Sequence, residues 1–230
     1  MTNSLAHSTN IALHVSAGVI ALAIGFAILA RRKGTPAHRR LGIRFCYASI
    51  ALCLFAFIGL IAFRFMPLFT VLLILAAYQF LSGWHIIYTQ QRGPQLVDAL
   101  FTGVTATITI VLTSTLLREA SVAVTATLAS LAVVLLYDAV KWLFPRRWYV
   151  ALWEYEHTYK MVAALYGMVA AFVGSVLKFG QPWLQHVATG FGQLSILYFF
   201  WRIAQRNSAQ RLAYERPTTD ERRTIPTESL

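Results

Sequence analysis

Two histidines far apart in the chain have the same local pattern. His14 is followed four residues later by Gly18, and His186 is followed in the same way by Gly190. Residues four apart lie on one face of a helix, so each imidazole would have a bare helix surface beside it. Histidine is a common axial ligand of haem iron, and the two glycines would leave room for the flat macrocycle. One hypothesis is therefore a b-type haem held between His14 and His186.

His85 and His157 form a second, less favoured pair of ligands. Glu154 and His157 have the E-x-x-H spacing that supplies metal ligands in di-iron bundles, but the chain has no second copy of this motif. Glu156 and Lys160 have the spacing of an ordinary ion pair along one helix, which favours solvated charge at a membrane interface. Histidines near the ends of membrane spans also find water or backbone partners, and this structural role is the alternative for both pairs.

The elements that would position these histidines are long apolar stretches. Hydrophobic residues make up 57% of the chain and charged residues 13%, whereas soluble domains have roughly 25% charged residues. Residues 11–30 carry no charge, and about 20 residues suffice to cross a hydrocarbon core about 30 Å thick. The pattern predicts an all-α integral membrane bundle with transmembrane helices at 11–30, 42–63, 67–88, 96–117, 120–142, 148–177 and 182–204.

The distribution of positive charge predicts the orientation of these seven spans. The first span is followed by a basic loop that contains Arg31, Arg32, Lys33, Arg39 and Arg40. Short loops rich in lysine and arginine stay in the cytoplasm, which places the N-terminus outside and the C-terminus inside. The outer side then receives few cations, namely Arg64, Arg118 and Lys178. We therefore expect a bacterial inner (cytoplasmic) membrane protein whose net charge of +11 meets anionic lipids and not nucleic acid.

The chain reads as one domain with short polar ends. Residues 1–10 are predicted to be an outer N-terminal segment, 11–204 the seven-helix transmembrane domain, and 205–230 a basic, partly disordered cytoplasmic tail. The sequence has no phosphate-binding loop, nucleophile elbow or paired-cysteine motif. No acidic residue is expected in the middle of a span, and no span is interrupted by proline or a glycine pair, which disfavours a small-solute transporter.

Short motifs in about the first 100 residues resemble a group of bacterial multi-pass membrane proteins of unknown function. These motifs are His14-x-x-x-Gly18, Gly34-x-x-x-His38-Arg39-Arg40-Leu41-Gly42, Tyr78-x-x-x-Ser82-Gly83-Trp84, and Gly93-Pro94 before Asp98. This resemblance implies no activity. The opening helices also resemble those of transmembrane b-type cytochromes, which implies bis-histidine haem ligation. In those proteins the ligands lie on consecutive core helices, whereas the histidines here are predicted on helices one, three, six and seven.

Three functions follow from these patterns. The first is a membrane redox protein that carries haem b. The second is a non-catalytic scaffold, assembly or accessory subunit that contacts lipids or another membrane protein. The third, and least favoured, is a small-solute transporter.

Overall fold

The computed structural model describes residues 2–118, 121–176 and 183–215, which form helices joined by short turns. The helices are α1 (Thr2–Ala30), α2 (Pro36–Ala62), α3 (Pro67–Thr89), α4 (Leu96–Arg118), α5 (Val122–Val140), α6 (Arg146–Val176) and α7 (Trp183–Glu215). Short 3₁₀ turns follow α3 at Gln90–Arg92 and α5 at Lys141–Leu143. The predicted all-α class is confirmed, while the predicted disorder at the C-terminus falls mostly on residues 216–230, outside the described part.

Five of these helices are long and apolar enough to cross a membrane. The candidate spans are Leu5–Ala30, Pro36–Ala62, Pro67–Arg92, Leu96–Arg118 and Val122–Leu143. Helices α6 and α7 are longer still, but charged side chains interrupt them, including Glu156 and Lys160 in α6 and Arg206 in α7. The described chain thus has the length and composition of a multi-pass membrane protein, with five helices that meet this criterion where the sequence predicted seven.

The helix starts follow local capping chemistry. Pro36 occupies the first turn of α2, and the Thr35 hydroxyl accepts a hydrogen bond from the backbone N–H of His38. Helix α5 begins in the same way after Ser121. Helix α1 begins at Thr2, before the predicted span start at residue 11, so residues 2–10 are helical as well.

Helices α3 and α6 hold the bundle together. Helix α3 contacts α2, α4, α5 and α6, and helix α6 also contacts α1 and α7. The largest buried apolar cluster lies where α1, α2, α3 and α6 meet, and it contains Ala21, Phe45, Cys46, Phe80, Ala164, Leu165 and Met168. Polar side chains on α3 and α6 are consequently enclosed by neighbouring helices.

Candidate functional site

His14 and its glycine face a neighbouring helix rather than an open cavity. The Nδ1–H of His14 donates to the carbonyl oxygen of Leu52 on α2 at 3.3 Å. A Cβ atom added to Gly18 would lie 3.4 Å from Cδ1 of Leu52, which is ordinary packing contact. The small-residue face of α1 is therefore occupied by α2.

His186 lies elsewhere, with an exposed side chain beside the Trp183 ring. Between the described residues of α1 and α7 there is no pair of Cα atoms within 8 Å, and both helices instead contact α6. Two axial histidines need ring nitrogens about 4 Å apart, given metal–nitrogen bonds near 2 Å. A Cβ at Gly190 would meet open space, whereas Gly18 packs against α2. The two histidines therefore have different surroundings, and a haem shared between them stays a prediction of the sequence.

We expect no haem absorption bands that require both His14 and His186. The measurement is the reduced-minus-oxidised absorption spectrum of the purified protein, repeated with His14→Ala and with His186→Ala. Because the two side chains point to different surroundings, any haem bands of the wild type should survive in at least one variant. Loss of the same bands in both variants would contradict this placement.

His85 and His157 lie on helices that do pack together, but their hydrogen bonds go to different partners. The Nδ1–H of His85 donates to Oδ1 of Asp98 at 2.9 Å, and the Nδ1–H of His157 donates to the carbonyl oxygen of Gly83 at 2.8 Å. Metal-binding histidines are often oriented in this way through Nδ1. Within the described ranges, however, no three His, Cys, Asp or Glu side chains are grouped for a metal ion. Haem ligation by this second pair stays a prediction.

The most unusual site in the bundle is a buried set of alternating charges, which we call the charge cluster, formed by Asp138, Lys141, Glu156 and Lys160. The ammonium group of Lys160 lies 2.8 Å and 2.7 Å from the two oxygens of Asp138 and 3.1 Å from Oε1 of Glu156. The Lys141 ammonium contacts the same Oε1 at 2.9 Å and Oδ1 of Asp138 at 3.1 Å. The side chains of Lys160 and Asp138 are 1% and 2% exposed.

Hydroxyl groups extend the charge cluster toward the other side of α3. The Tyr78 hydroxyl donates to Oδ2 of Asp138, and it lies 2.8 Å from Oγ1 of Thr102 on α4. Because the Tyr78 proton goes to the carboxylate, Thr102 donates to the Tyr78 oxygen. A continuous chain of hydrogen bonds thus links α6, α5, α3 and α4.

The backbones of α3 and α6 lie close together beside the charge cluster, at Gly83. A Cβ atom added to Gly83 of α3 would lie 2.9 Å from Cβ of Lys160 and 3.2 Å from Sδ of Met161. Any larger side chain at Gly83 would push α6 away from α3. The glycine thereby lets α3 cover Lys160, so that this lysine is enclosed by protein.

The charge cluster corrects one prediction. Glu156 and Lys160 do form the expected ion pair along α6, but Lys160 is buried and not a solvated interfacial charge. Asp138 is also buried, and it lies in the last turn of α5, not in the middle of that helix. The spacings of Asp138 and Lys141 (i,i+3) and of Glu156 and Lys160 (i,i+4) indicate ion pairs in the sequence, but they do not indicate burial.

A small opening, which we call the polar cleft, leads to the charge cluster at the end of the bundle where α3 and α5 finish and α4 and α6 begin. Its charged lining consists of Asp98, Lys141 and Glu156. Aromatic side chains provide much of the remaining wall, namely Tyr137, Phe144, Trp148, Tyr149 and Trp153. The space accommodates about one water molecule. The polar cleft therefore connects the charge cluster to the surroundings of the protein.

The acidic and basic groups around the polar cleft are not balanced. The carboxylates of Asp98, Asp138 and Glu156 face the ammonium groups of Lys141 and Lys160. Three carboxylates against two ammonium groups leave one net negative charge when His85 is neutral. The arrangement can therefore accept one further positive charge, either a proton or a bound cation.

Comparison of the chain with protein-family models, characterised proteins and solved structures gave no match.

Proposed function

We propose that this chain is a seven-span inner-membrane protein that binds and releases protons at the charge cluster from the cytoplasmic side. The supporting observation is a hydrogen-bonded set of three carboxylates and two lysines enclosed in a bundle whose helices include five apolar enough to cross a membrane. Ionisable groups within membrane proteins are costly to bury and often mark proton or ion pathways.

The lengths of α6 and α7 support two further spans. Helix α6 has 31 residues, which corresponds to about 46 Å at 1.5 Å per residue, more than the hydrocarbon core requires. Its charged first half can thus lie at the interface while the apolar second half crosses the membrane. Helix α7 has 33 residues and packs along α6, so the same argument applies to its first two thirds.

The orientation places the polar cleft in contact with the cytoplasm. The cleft lies at the same end of the bundle as the basic loop between α1 and α2, because helices alternate in direction along the chain. Loops rich in lysine and arginine favour the cytoplasmic side. Large apolar side chains point outward elsewhere, as with Ile110 and Val111 of α4, which are 73% and 68% exposed and suit a lipid environment.

Glu156 is the group best placed to exchange a proton. Its Oε1 accepts hydrogen bonds from both lysines, whereas within the described ranges Oε2 has no hydrogen-bond or ion-pair partner. Glu156 lines the polar cleft and retains 12% exposure, so a proton can reach it. Other titratable groups also surround it, including Tyr137, Asp138, Tyr149, Lys141, Lys160, Asp98 and His85.

In the described part of the bundle, the series of hydrogen bonds reaches the surroundings of the protein at one end, which is the polar cleft. Beyond Thr102, the hydroxyls of Thr109 and Thr113 donate to carbonyl groups of their own helix at 2.7 Å. No side-chain bond there continues the chain toward the far ends of the described helices. We therefore favour reversible protonation that is coupled to another event over a continuous proton wire across the membrane.

Infrared difference spectroscopy of the reconstituted protein tests this function. An acid pulse on the cytoplasmic side should produce the C=O band of a protonated carboxyl group in a water-poor site. The band should be lost in Glu156→Gln or in Asp138→Asn. It should persist in Glu154→Gln, a matched control on the same helix whose carboxylate pairs with the exposed Arg206.

Sealed inverted vesicles and right-side-out vesicles establish the sidedness. The band should follow external pH in inverted vesicles alone, because only these expose the cytoplasmic face. A band that is unchanged in both cluster variants, or that follows pH on the outer face, would overturn the proposal. The charge cluster would then have a packing role, as the scaffold hypothesis expects.

A further inference from the structure

The polar cleft has an unusual combination of aromatic walls and carboxylate oxygens. Aromatic rings from the end of α5 and from the start of α6 surround it, among them Tyr149 and Trp153. Ring faces attract cations through their quadrupole, and this attraction strengthens when the cation loses water. The walls therefore suit a positively charged group better than an anion.

A carboxylate oxygen of Glu156 is an unused acceptor at the polar cleft. The Lys141 ammonium is already engaged by Glu156 and Asp138. Asp98 uses both oxygens, because Oδ1 accepts from His85 and Oδ2 accepts from the backbone N–H of Gln95 at 2.7 Å. Oε2 of Glu156 is left, and an occupant that donates hydrogen bonds would satisfy it.

We propose that the polar cleft binds a primary ammonium group, carried by a small free amine or by an ethanolamine headgroup. This inference rests on the proposed function, since the same carboxylates that attract a proton attract the ammonium group. When His85 is neutral, one positive charge balances the three carboxylates and two lysines. The ammonium N–H groups donate to Oε2 of Glu156, and the aromatic walls contact the attached carbon.

The size of the polar cleft selects among cations. Space for about one water molecule admits an –NH₃⁺ group, which is of similar size, while its substituent remains toward the opening. A trimethylated ammonium group has the same charge but is larger and donates no hydrogen bond. The geometry therefore favours primary over quaternary ammonium ions.

Binding of methylammonium tests the inference on the full-length protein in nanodiscs of phosphatidylglycerol. Saturation-transfer NMR should detect methylammonium binding, whereas tetramethylammonium should give no competing signal. Glu156→Gln should weaken binding about tenfold or more, because a charge-assisted hydrogen bond is lost. Trp153→Leu should weaken binding about threefold through loss of one aromatic wall. Trp201→Leu, at an exposed position of α7, is the matched control and should leave the affinity unchanged.

A second arm of the experiment identifies the source of the ammonium group. Added phosphatidylethanolamine should compete with methylammonium if the natural occupant is a lipid headgroup, and should not compete if it is a free amine. Absence of methylammonium binding, or equal binding of tetramethylammonium, would overturn the inference. If the carboxyl band of Glu156 or Asp138 is still observed in that case, the ammonium site fails while the proton-binding function stands.

Discussion

Lys160→Met is expected to lower the free energy of unfolding by about 3–5 kcal/mol, the cost typical of removing one partner from a buried ion pair. The reason is that Asp138, with a 2% exposed side chain, would keep its charge but lose its closest cation. The Lys141 ammonium group remains 3.1 Å from Oδ1 of Asp138, but it also forms an ion pair with Glu156. Methionine has a similar length and apolar stem, so the packing volume changes little.

Thermal or denaturant unfolding in detergent, followed by tryptophan fluorescence, measures this change. Arg206→Met is the matched control, since Arg206 pairs with Glu154 but is 49% exposed. Exposed pairs contribute about 0–1 kcal/mol, so this control should remain close to the wild type. The double variant Lys160→Met/Asp138→Leu should recover part of the loss, because no uncompensated carboxylate is then buried. Equal stability of Lys160→Met and Arg206→Met would contradict the buried position of the lysine.

The helices could be predicted from the sequence because their signal is local. Uncharged stretches such as 11–30 are visible without knowledge of their neighbours, and so are start signals such as Thr35 before Pro36. The burial of Lys160 was not visible, because it depends on the distance between α3 and α6. That distance is small only because Gly83 has no side chain, and the sequence does not indicate which helix faces this glycine.

The sequence also does not indicate which helices lie beside His14 and His186. His14 and His186 share the same local pattern with glycine, but this pattern carries no information about which spans are neighbours. Helix α6 contacts both α1 and α7. Gly18, one turn from His14, packs against α2. Small-residue faces accommodate helix packing as readily as a cofactor. Which helices are neighbours is therefore information that the structure adds to a single sequence.

The count of membrane spans depends on the charges of the site. Helices α6 and α7 are not among the five candidate spans of the described residues, and α6 carries half of the charge cluster. A helix that supplies a buried polar site is less apolar than one that faces lipid along its length. Residues of such a site thus weaken the apolar signal of the helix that carries them.

Gly93→Ala is expected to destabilise the protein by about 2–6 kcal/mol, for two separate reasons. Gly93 has a φ of 83° and a ψ of −174°, a conformation that costs other residues about 1–3 kcal/mol. A Cβ atom there would also lie 2.6 Å from two ring carbons of Tyr149, and overpacking of this kind costs about 1–3 kcal/mol. The Tyr149 hydroxyl donates to the carbonyl of Lys141, so displacement of the ring would disturb the wall of the polar cleft.

Gly34→Ala is the control that separates these two contributions. Gly34 has a φ of 79°, but nothing lies within 4 Å of a Cβ at that position, so only the backbone cost of about 1–2 kcal/mol is expected. The double variant Gly93→Ala/Tyr149→Ala should cost less than the sum of its single changes, because the clash disappears with the ring. Unfolding in detergent gives these energies, and methylammonium titration should show weaker binding in Gly93→Ala. Suppose that Gly93→Ala and Gly34→Ala cost the same and that the double variant is additive. The Tyr149 ring then does not pack against Gly93 at the polar cleft.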